Sequence, residues 1–214
     1  MRVIGGTCRG RALRAPHGDG TRPTSDRVRE AMFDVLGSAL GPGGLAGASV
    51  LDLFAGSGAL GIEALSRGAA SAVFVERDRR AVAVVSANLA ALGLAGGQVE
   101  VARADALAWL AGPGAGRAFD LAFCDPPYAF DEWDALLGRL HATTAVLESD
   151  RPLAPPEPWD VLKRKRYGGT LVTVVVRRRS PGSAGRPGPA GPGTVEARPA
   201  GGGRTQGAPE GGNG

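Results

Sequence analysis

The feature that most constrains this chain is an alternation between residues 48 and 147. Short apolar runs take turns with stretches whose apolar residues recur at helical spacing. Ala48–Phe54, Ala72–Val75, Gln98–Ala102 and Phe119–Cys124 read as strands. Gly58–Arg67, Asp78–Leu92, Ala104–Leu110 and Asp131–His141 read as the helices between and after them. Val82, Val85, Leu89 and Leu92 give the second helix its apolar face. Strands alternating with helices predict an α/β fold, a parallel sheet covered on both faces. Right-handed crossovers then line up the loops that follow each strand along one sheet edge, where open α/β sheets bind ligands. The segments to search are therefore Phe54–Gly58, Glu76, Asp105 and Asp125–Tyr128, and each carries glycine or polar residues.

The flanks divide the chain further. Met1–Ile4, a Gly5-Gly6 turn and Arg9–Leu13 read as a small hairpin. A loop follows to Pro23. From Ser25 a helix begins, with Val28, Met32, Val35, Leu36 and Leu40 at helical spacing, and Gly41-Pro42-Gly43-Gly44 stops it. Thr144–Glu148, Trp159–Lys163 and Thr170–Val176 are the remaining candidate strands. Of the chain's 35 Gly and 16 Pro, 12 Gly and 6 Pro fall in residues 180–214. That segment has a single β-branched apolar residue, Val195, and no aromatic one, too little to offset its ordering entropy, so it is expected to be disordered. The expected organisation is an N-terminal extension (1–45), a main domain (46–179) and this tail (180–214).

No run of 18 apolar residues exists and residues 1–20 hold no apolar core, which excludes a membrane span and a signal peptide from the expectation and leaves a cytoplasmic protein. Cys8 and Cys124 are too few for a disulfide scaffold, and His17 and His141 stand alone, so no metal site is expected. Net charge is +4 overall but segregated. Residues 1–30 carry seven Arg against three acids, residues 31–162 eight Arg against sixteen acids, and residues 163–179 seven bases and no acid. An acidic middle between basic ends fits a protein that grips a polyanion. A solvated basic fringe is the plainer reading, and the excess of Arg (23 to 2 Lys) reflects in part a GC-rich coding bias.

The loop after the first strand reads Asp52-Leu53-Phe54-Ala55-Gly56-Ser57-Gly58-Ala59-Leu60-Gly61. Gly56-x-Gly58-x-x-Gly61, with Glu76 twenty residues beyond Gly56, matches a dinucleotide fingerprint, so an NAD-dependent oxidoreductase is a competing expectation. Asp52 argues the other way: an acid aimed into the crevice suits a cofactor bearing positive charge rather than a pyrophosphate. Asp-x-Phe-x-Gly-x-Gly resembles the first motif of class I S-adenosylmethionine-dependent methyltransferases. That resemblance implies a mostly parallel seven-stranded Rossmann-like sheet. It also implies S-adenosyl-L-methionine held by Asp52, Phe54, Ala55, Gly56, Ser57, Gly58, Glu76, Arg77, Asp105 and Ala106. Asp52 would face the methionine part, Glu76 the ribose hydroxyls, and Asp105 with Ala106 the adenine edge.

Asp125-Pro126-Pro127-Tyr128 follows the fourth strand. Two prolines fix φ near −65° and make a rigid turn that presents carbonyls. An exocyclic amine is a poor nucleophile because its lone pair is delocalised into the ring. Two acceptors, the Asp125 carboxylate and the Pro126 carbonyl, can take both its hydrogens and aim the nitrogen at a methyl donor, so positioning supplies much of the catalysis. Asp125 is the nearest proton acceptor, Tyr128 a platform for the base, and Pro127 packs beside it. The turn resembles the fourth motif of amino-methyltransferases, which act on adenine N6, guanine N2, cytosine N4 or glutamine amides.

The N-terminal residues narrow that range. Arg2-Val3-Ile4-Gly5-Gly6, Arg9-Gly10-Arg11-Ala12-Leu13 and Arg22-Pro23-Thr24-Ser25-Asp26-Arg27-Val28-Arg29-Glu30, taken with the two loops, resemble the bacterial 16S ribosomal RNA guanine-N2 methyltransferase family, RsmD type, over residues 1–179. The resemblance implies methylation of a guanine N2 in 16S (small-subunit) ribosomal RNA by a monomer acting on the small subunit or its assembly intermediate. It implies an N-terminal extension that contacts RNA while its helix covers the cofactor. Thr24 would reach the methionine end, and Arg9, Arg11, Arg22, Arg27 and Arg29 are the candidate RNA contacts, Arg9 and Arg11 on a flexible hairpin. A DNA or RNA adenine-N6 methyltransferase and a non-catalytic RNA-binding protein compete with this expectation. The sequence departs from the family in a short 140–148 connection, which leaves the fifth strand open, and in the bases at 163–166 and 177–179.

Overall fold

The computed structural model describes residues 1–16, 26–40 and 43–178, all within one compact unit, Met1–Ser183. Arg22, Thr24 and the 180–214 tail lie outside the described residues. The elements are α1 (Asp26–Ala39), β1 (Ser49–Leu53), α2 (Ala59–Ser66), β2 (Ser71–Glu76), α3 (Arg79–Leu92) and β3 (Val99–Arg103). They continue with α4 (Ala106–Ala111), β4 (Phe119–Cys124), α5 (Trp133–Arg139), β5 (Ala142–Ser149), β6 (Trp159–Tyr167) and β7 (Thr170–Arg177).

The strands form one sheet in the order β3-β2-β1-β4-β5-β7-β6. β1 to β5 pair in parallel, and β7 runs antiparallel to both β5 and β6. The chain steps outward from β1 to β3 and then returns to β4, so β1 and β4 flank the switch point where a crevice opens at their carboxyl ends.

Alternate residues of each central strand feed opposite cores. Val50, Phe74, Phe123 and Val146 pack with Met32 and Phe33 of α1, Ile62 of α2 and Val85 of α3. Leu51, Leu53, Val75 and Leu147 pack with Trp109 of α4 and with Leu136 and Leu137 of α5. Helices thus cover both faces, which is why the strands read as continuous apolar runs. Asp78 caps α3 by accepting hydrogen bonds from the Arg80 and Ala81 amides, and Gly93 ends it at φ 70°. No helix among the described residues is long and apolar enough to cross a membrane.

Four local expectations change. The buried stripe of α1 is Arg29, Met32, Phe33 and Leu36, with Val28, Val35 and Leu40 only at its margin. α5 stops at Arg139, because buried Leu140 turns extended and the His141 carbonyl already accepts from the Phe119 amide. The short connection therefore still delivers an eight-residue β5. β6 runs on through the basic residues to Tyr167, since an edge strand with exposed faces needs no apolar run. Finally, the N-terminal hairpin, closed by the Arg2–Ala12 bridge, is tied down rather than free. The Glu63 carboxylate accepts from the Ile4 and Gly5 amides at 2.7 Å each, Ser66 Oγ accepts from the Cys8 amide at 2.9 Å, and Val3 and Leu13 are buried.

Candidate active site

A cavity of about 440 Å³ opens at the switch point, and most of the residues singled out from the sequence line it. Phe54, Ala55, Gly56 and Ser57 form one wall, Glu76, Arg77, Asp105 and Ala106 a second, and Asp125 to Tyr128 a third. The residues come from the ends of four strands, so the sheet alone brings together residues up to 74 positions apart.

The loop after β1 is held by carboxylates. Asp52, 2% exposed, accepts from the Gly61 amide in the first turn of α2 at 2.9 Å. Glu76 accepts from the Gly56 amide at 2.9 Å and from the Asp78 amide at 2.8 Å, tying the loops after β1 and β2 together. The Gly56 and Gly61 amides, which would help to cradle a pyrophosphate, are thus already engaged by acids. Burial raises the Asp52 carboxyl well above the usual carboxylate range, and the charges of Asp125 and Glu76 add to the rise. The charges that act on Asp52 are those of other carboxylates, which is the electrostatic setting for a cationic ligand beside it. Asp105 also has a structural duty: it caps α4 by accepting from the Leu107 and Ala108 amides at 3.0 and 3.1 Å.

Gly58 does not line the cavity as expected. It sits at φ 78°, and a Cβ there would lie 3.2–3.4 Å from Val85, Ile62 and Phe74, so its requirement is packing between loop, helix and sheet. Phe54 is the one described non-glycine residue at positive φ (66°), and its ring stands edge-on to Phe130 at 5.4 Å.

The Asp125–Tyr128 turn is braced from outside. Tyr128, 38% exposed at the mouth, exchanges a 2.8 Å hydrogen bond with the Thr170 hydroxyl. Arg151 donates to the carbonyls of Tyr128 at 3.3 Å and Phe130 at 3.0 Å, and the Phe130 amide donates to the Pro127 carbonyl at 2.8 Å. Phe130 in turn packs edge-on against Trp133. Cys124 is buried under the turn, and desolvation pushes its thiol far up, so it is a packing residue and not a nucleophile.

The expected RNA-contacting arginines separate. Arg9 and Arg27 are exposed. Arg11 is exposed but donates to the Ala91 carbonyl near the end of α3 at 2.7 Å. Arg29 is a correction: it is fully buried and lines the cavity, out of reach of an external phosphate. Its Nη2 donates to the Arg2 carbonyl at 2.6 Å and to Asp26 at 2.8 Å, while Nε and Nη1 have no partner. Desolvation lowers its pKa against the opposing pull of Asp26 and Glu63. Glu148 is a lining residue that sequence reading missed. The signal was present: like Asp125, it is an acid at the carboxyl end of a buried strand, and Cys124 pairs with Leu147 immediately before the two. Among the described residues no cluster of three potential metal ligands occurs.

Comparison with known proteins agrees with this geometry. The family described as conserved hypothetical protein 95 matches residues 1–176. The ribosomal RNA small subunit methyltransferase D of Haemophilus influenzae is 37% identical over 177 residues, covering 78% of this chain and 89% of that one. Its Escherichia coli namesake is 41% identical over 154 residues, covering 72% and 70%. A solved Escherichia coli structure superposes with a TM-score of 0.72 at 35% identity, covering 84% of this chain and 99% of that chain. With this similarity spanning nearly all the described residues, and with a seven-stranded sheet of the Rossmann-like class I methyltransferase kind beneath it, the chain belongs to the small-subunit ribosomal RNA methyltransferase D family.

Proposed function

We propose that this protein transfers a methyl group from S-adenosylmethionine to the N2 amine of a guanine in 16S ribosomal RNA, within the small subunit or its assembly intermediate, in the cytoplasm. The observation that carries the reading is the meeting, in one cavity, of the carboxylate-held loop after β1 with the Asp125–Tyr128 turn after β4. Relatives named as small-subunit ribosomal RNA methyltransferases support methylation of ribosomal RNA.

The cavity fits the cofactor on electrostatic grounds. A buried carboxyl, Asp52, favours an ammonium or sulfonium beside it, which would restore its ionised form. Arg29 offers the complementary cation, desolvated and with two nitrogens unpaired, to a carboxylate such as that of the methionine part. The same electrostatics disfavour the dinucleotide reading, because the Gly56 and Gly61 amides are taken by carboxylates and acids such as Asp52, Glu76, Asp105 and Asp125 line the cavity a pyrophosphate would enter. Glu76 would take the ribose, and Phe54, Ala55, Gly56, Ser57, Arg77, Asp105 and Ala106 complete the cradle. S-adenosylmethionine supplies an electrophilic methyl on a good leaving group.

The chain's own contribution is then positional. The Asp125 carboxylate and the Pro126 carbonyl accept the two amine hydrogens and hold the nitrogen lone pair toward the methyl donor. As the N–C bond forms, Asp125 takes the proton that leaves the nitrogen. Tyr128, fixed through its hydroxyl to Thr170, offers a ring face at the mouth for the base. The test is methyl transfer from labelled S-adenosylmethionine to small subunits lacking the modification, followed by nuclease digestion and mass analysis. N2-methylguanosine is expected. Methyladenosine would favour adenine-N6 chemistry instead, and absence of product would reject catalysis on this RNA.

A further inference from the structure

The edge strand β6 carries Lys163, Arg164, Lys165 and Arg166 in succession, all exposed. Its register against β7 sorts them. Lys163 and Lys165 pair with Val174 and Val172, which belong to the core on the α1 face, so the two lysines stand on that side. Arg164 and Arg166 stand on the other, where Arg164 donates to the Leu153 carbonyl and the Thr173 hydroxyl, and Arg166 to the Asp150 carbonyl. Lys165 lies 5.1 Å from the Tyr167 ring centroid.

Among the described residues no carboxylate forms an ion pair with any of these four. The foot of the same hairpin behaves differently: Arg178 pairs with Asp160 at 2.7 Å and with Glu157 at 3.3 Å. The Arg178 charge is thus neutralised at the foot, while the four charges toward the tip are not. The tip adjoins the site, because Tyr167 pairs with Thr170, and Thr170 is the hydroxyl bonded to Tyr128. From Lys163 to Tyr167 the strand advances about 13 Å. It therefore forms a short basic rail that ends beside the proposed base platform.

We propose that this strand is a docking surface for the phosphate backbone of the RNA that flanks the target base, Lys163 and Lys165 making the phosphate contacts. The inference rests on the RNA substrate proposed above and extends it from the N-terminal arginines to the edge strand of the sheet. Charge on an edge strand also prevents unwanted strand pairing, but either sign of charge serves that purpose, whereas RNA requires a positive one.

The test measures binding of a 16S ribosomal RNA transcript and of small subunits across a salt series, for the full chain and two double variants. Lys163→Gln/Lys165→Gln should flatten the slope of log K against log salt by about 1.4, the release of two counterions from single-stranded RNA. Lys163→Glu/Lys165→Glu keeps the edge charged and should weaken binding further. Affinity for S-adenosylhomocysteine should stay unchanged in both, which also reports that they are folded. Wild-type RNA affinity and salt slope in both variants would overturn the docking surface while leaving the proposed function standing. If the unmodified protein itself bound S-adenosylhomocysteine but neither RNA, the proposed substrate would fall, and this inference with it.

Discussion

The two halves of the cavity are built differently. On the β1–β2 side, acids are locked onto backbone amides: Asp52 on Gly61, Glu76 on Gly56 and Asp78, with Asp105 capping α4 at the neighbouring strand end. None of these groups can move without breaking a hydrogen bond, fully buried at Asp52–Gly61 and part-buried at Glu76–Gly56. On the β4–β5–β7 side, the Asp125–Tyr128 turn is braced from the surface by Arg151 and Thr170, and its aromatic residue is partly exposed. On the proposed function the first half would hold a small ligand whose shape does not vary, and the second one base presented by a much larger partner, so preorganisation would be concentrated where the ligand is small.

Substitutions should separate the halves. The largest expected effect is on the second: Asp125→Ala should lower turnover by about 10³-fold, because it removes an acceptor that acts on the reacting amine. S-adenosylhomocysteine affinity, measured by calorimetry, should change little, and near-normal turnover would remove the positioning role. Next comes the first half. Arg29→Met should weaken S-adenosylhomocysteine binding about 30-fold, corresponding to the loss of ~2 kcal/mol for a hydrogen bond to a charged group. Methylthioadenosine, which lacks the amino-acid part, should bind as before; equal losses for both ligands would indicate a structural role only.

A smaller effect tests the bracing. Arg151→Ala should raise KM for the RNA about fivefold with little change in cofactor affinity, as the turn loses two carbonyl contacts. A fall in cofactor affinity instead would show that the two halves are coupled. Gly58→Ala should cost about 1–2 kcal/mol in stability from positive φ and tight packing, read as a lower Tm.

Asp52 adds a pH signature. Its carboxyl holds its proton more tightly in the ligand-free fold than in the unfolded chain, where the ordinary value is 3.8. The folded state therefore binds more protons, and this contribution to stability is full below that value and lost as pH rises through the folded one. The ligand-free Tm should thus fall more between pH 4 and neutrality in the wild-type protein than in Asp52→Asn. Parallel profiles would show that Asp52 stays ionised throughout.

Much of the fold was legible because its signals are local. Periodicity located the five helices and the strands other than the fifth, which the short 140–148 connection left open, and the residues after each strand pointed to the edge on which the cavity opens. The missed features depend on neighbours distant in sequence. Arg29 looked like one more arginine at a helix start, yet its spacing to Met32, Phe33 and Leu36 places it on the buried stripe. The hairpin looked free, because nothing local shows that Glu63 and Ser66 would satisfy its amides. Gly58 looked like part of the ligand cradle, although its constraint comes from Val85 and Phe74.

What the sequence by itself determined is the α/β class, the edge of the sheet on which the cavity opens, and the two motifs, since these follow from residue order and chain geometry. Tertiary structure alone decided the state of each charge: which acids are locked on amides, which arginine is buried without partners, and which bases stand bare at the sheet edge. Burial and pairing set the electrostatics of a side chain, and both are supplied by residues that only folding brings together.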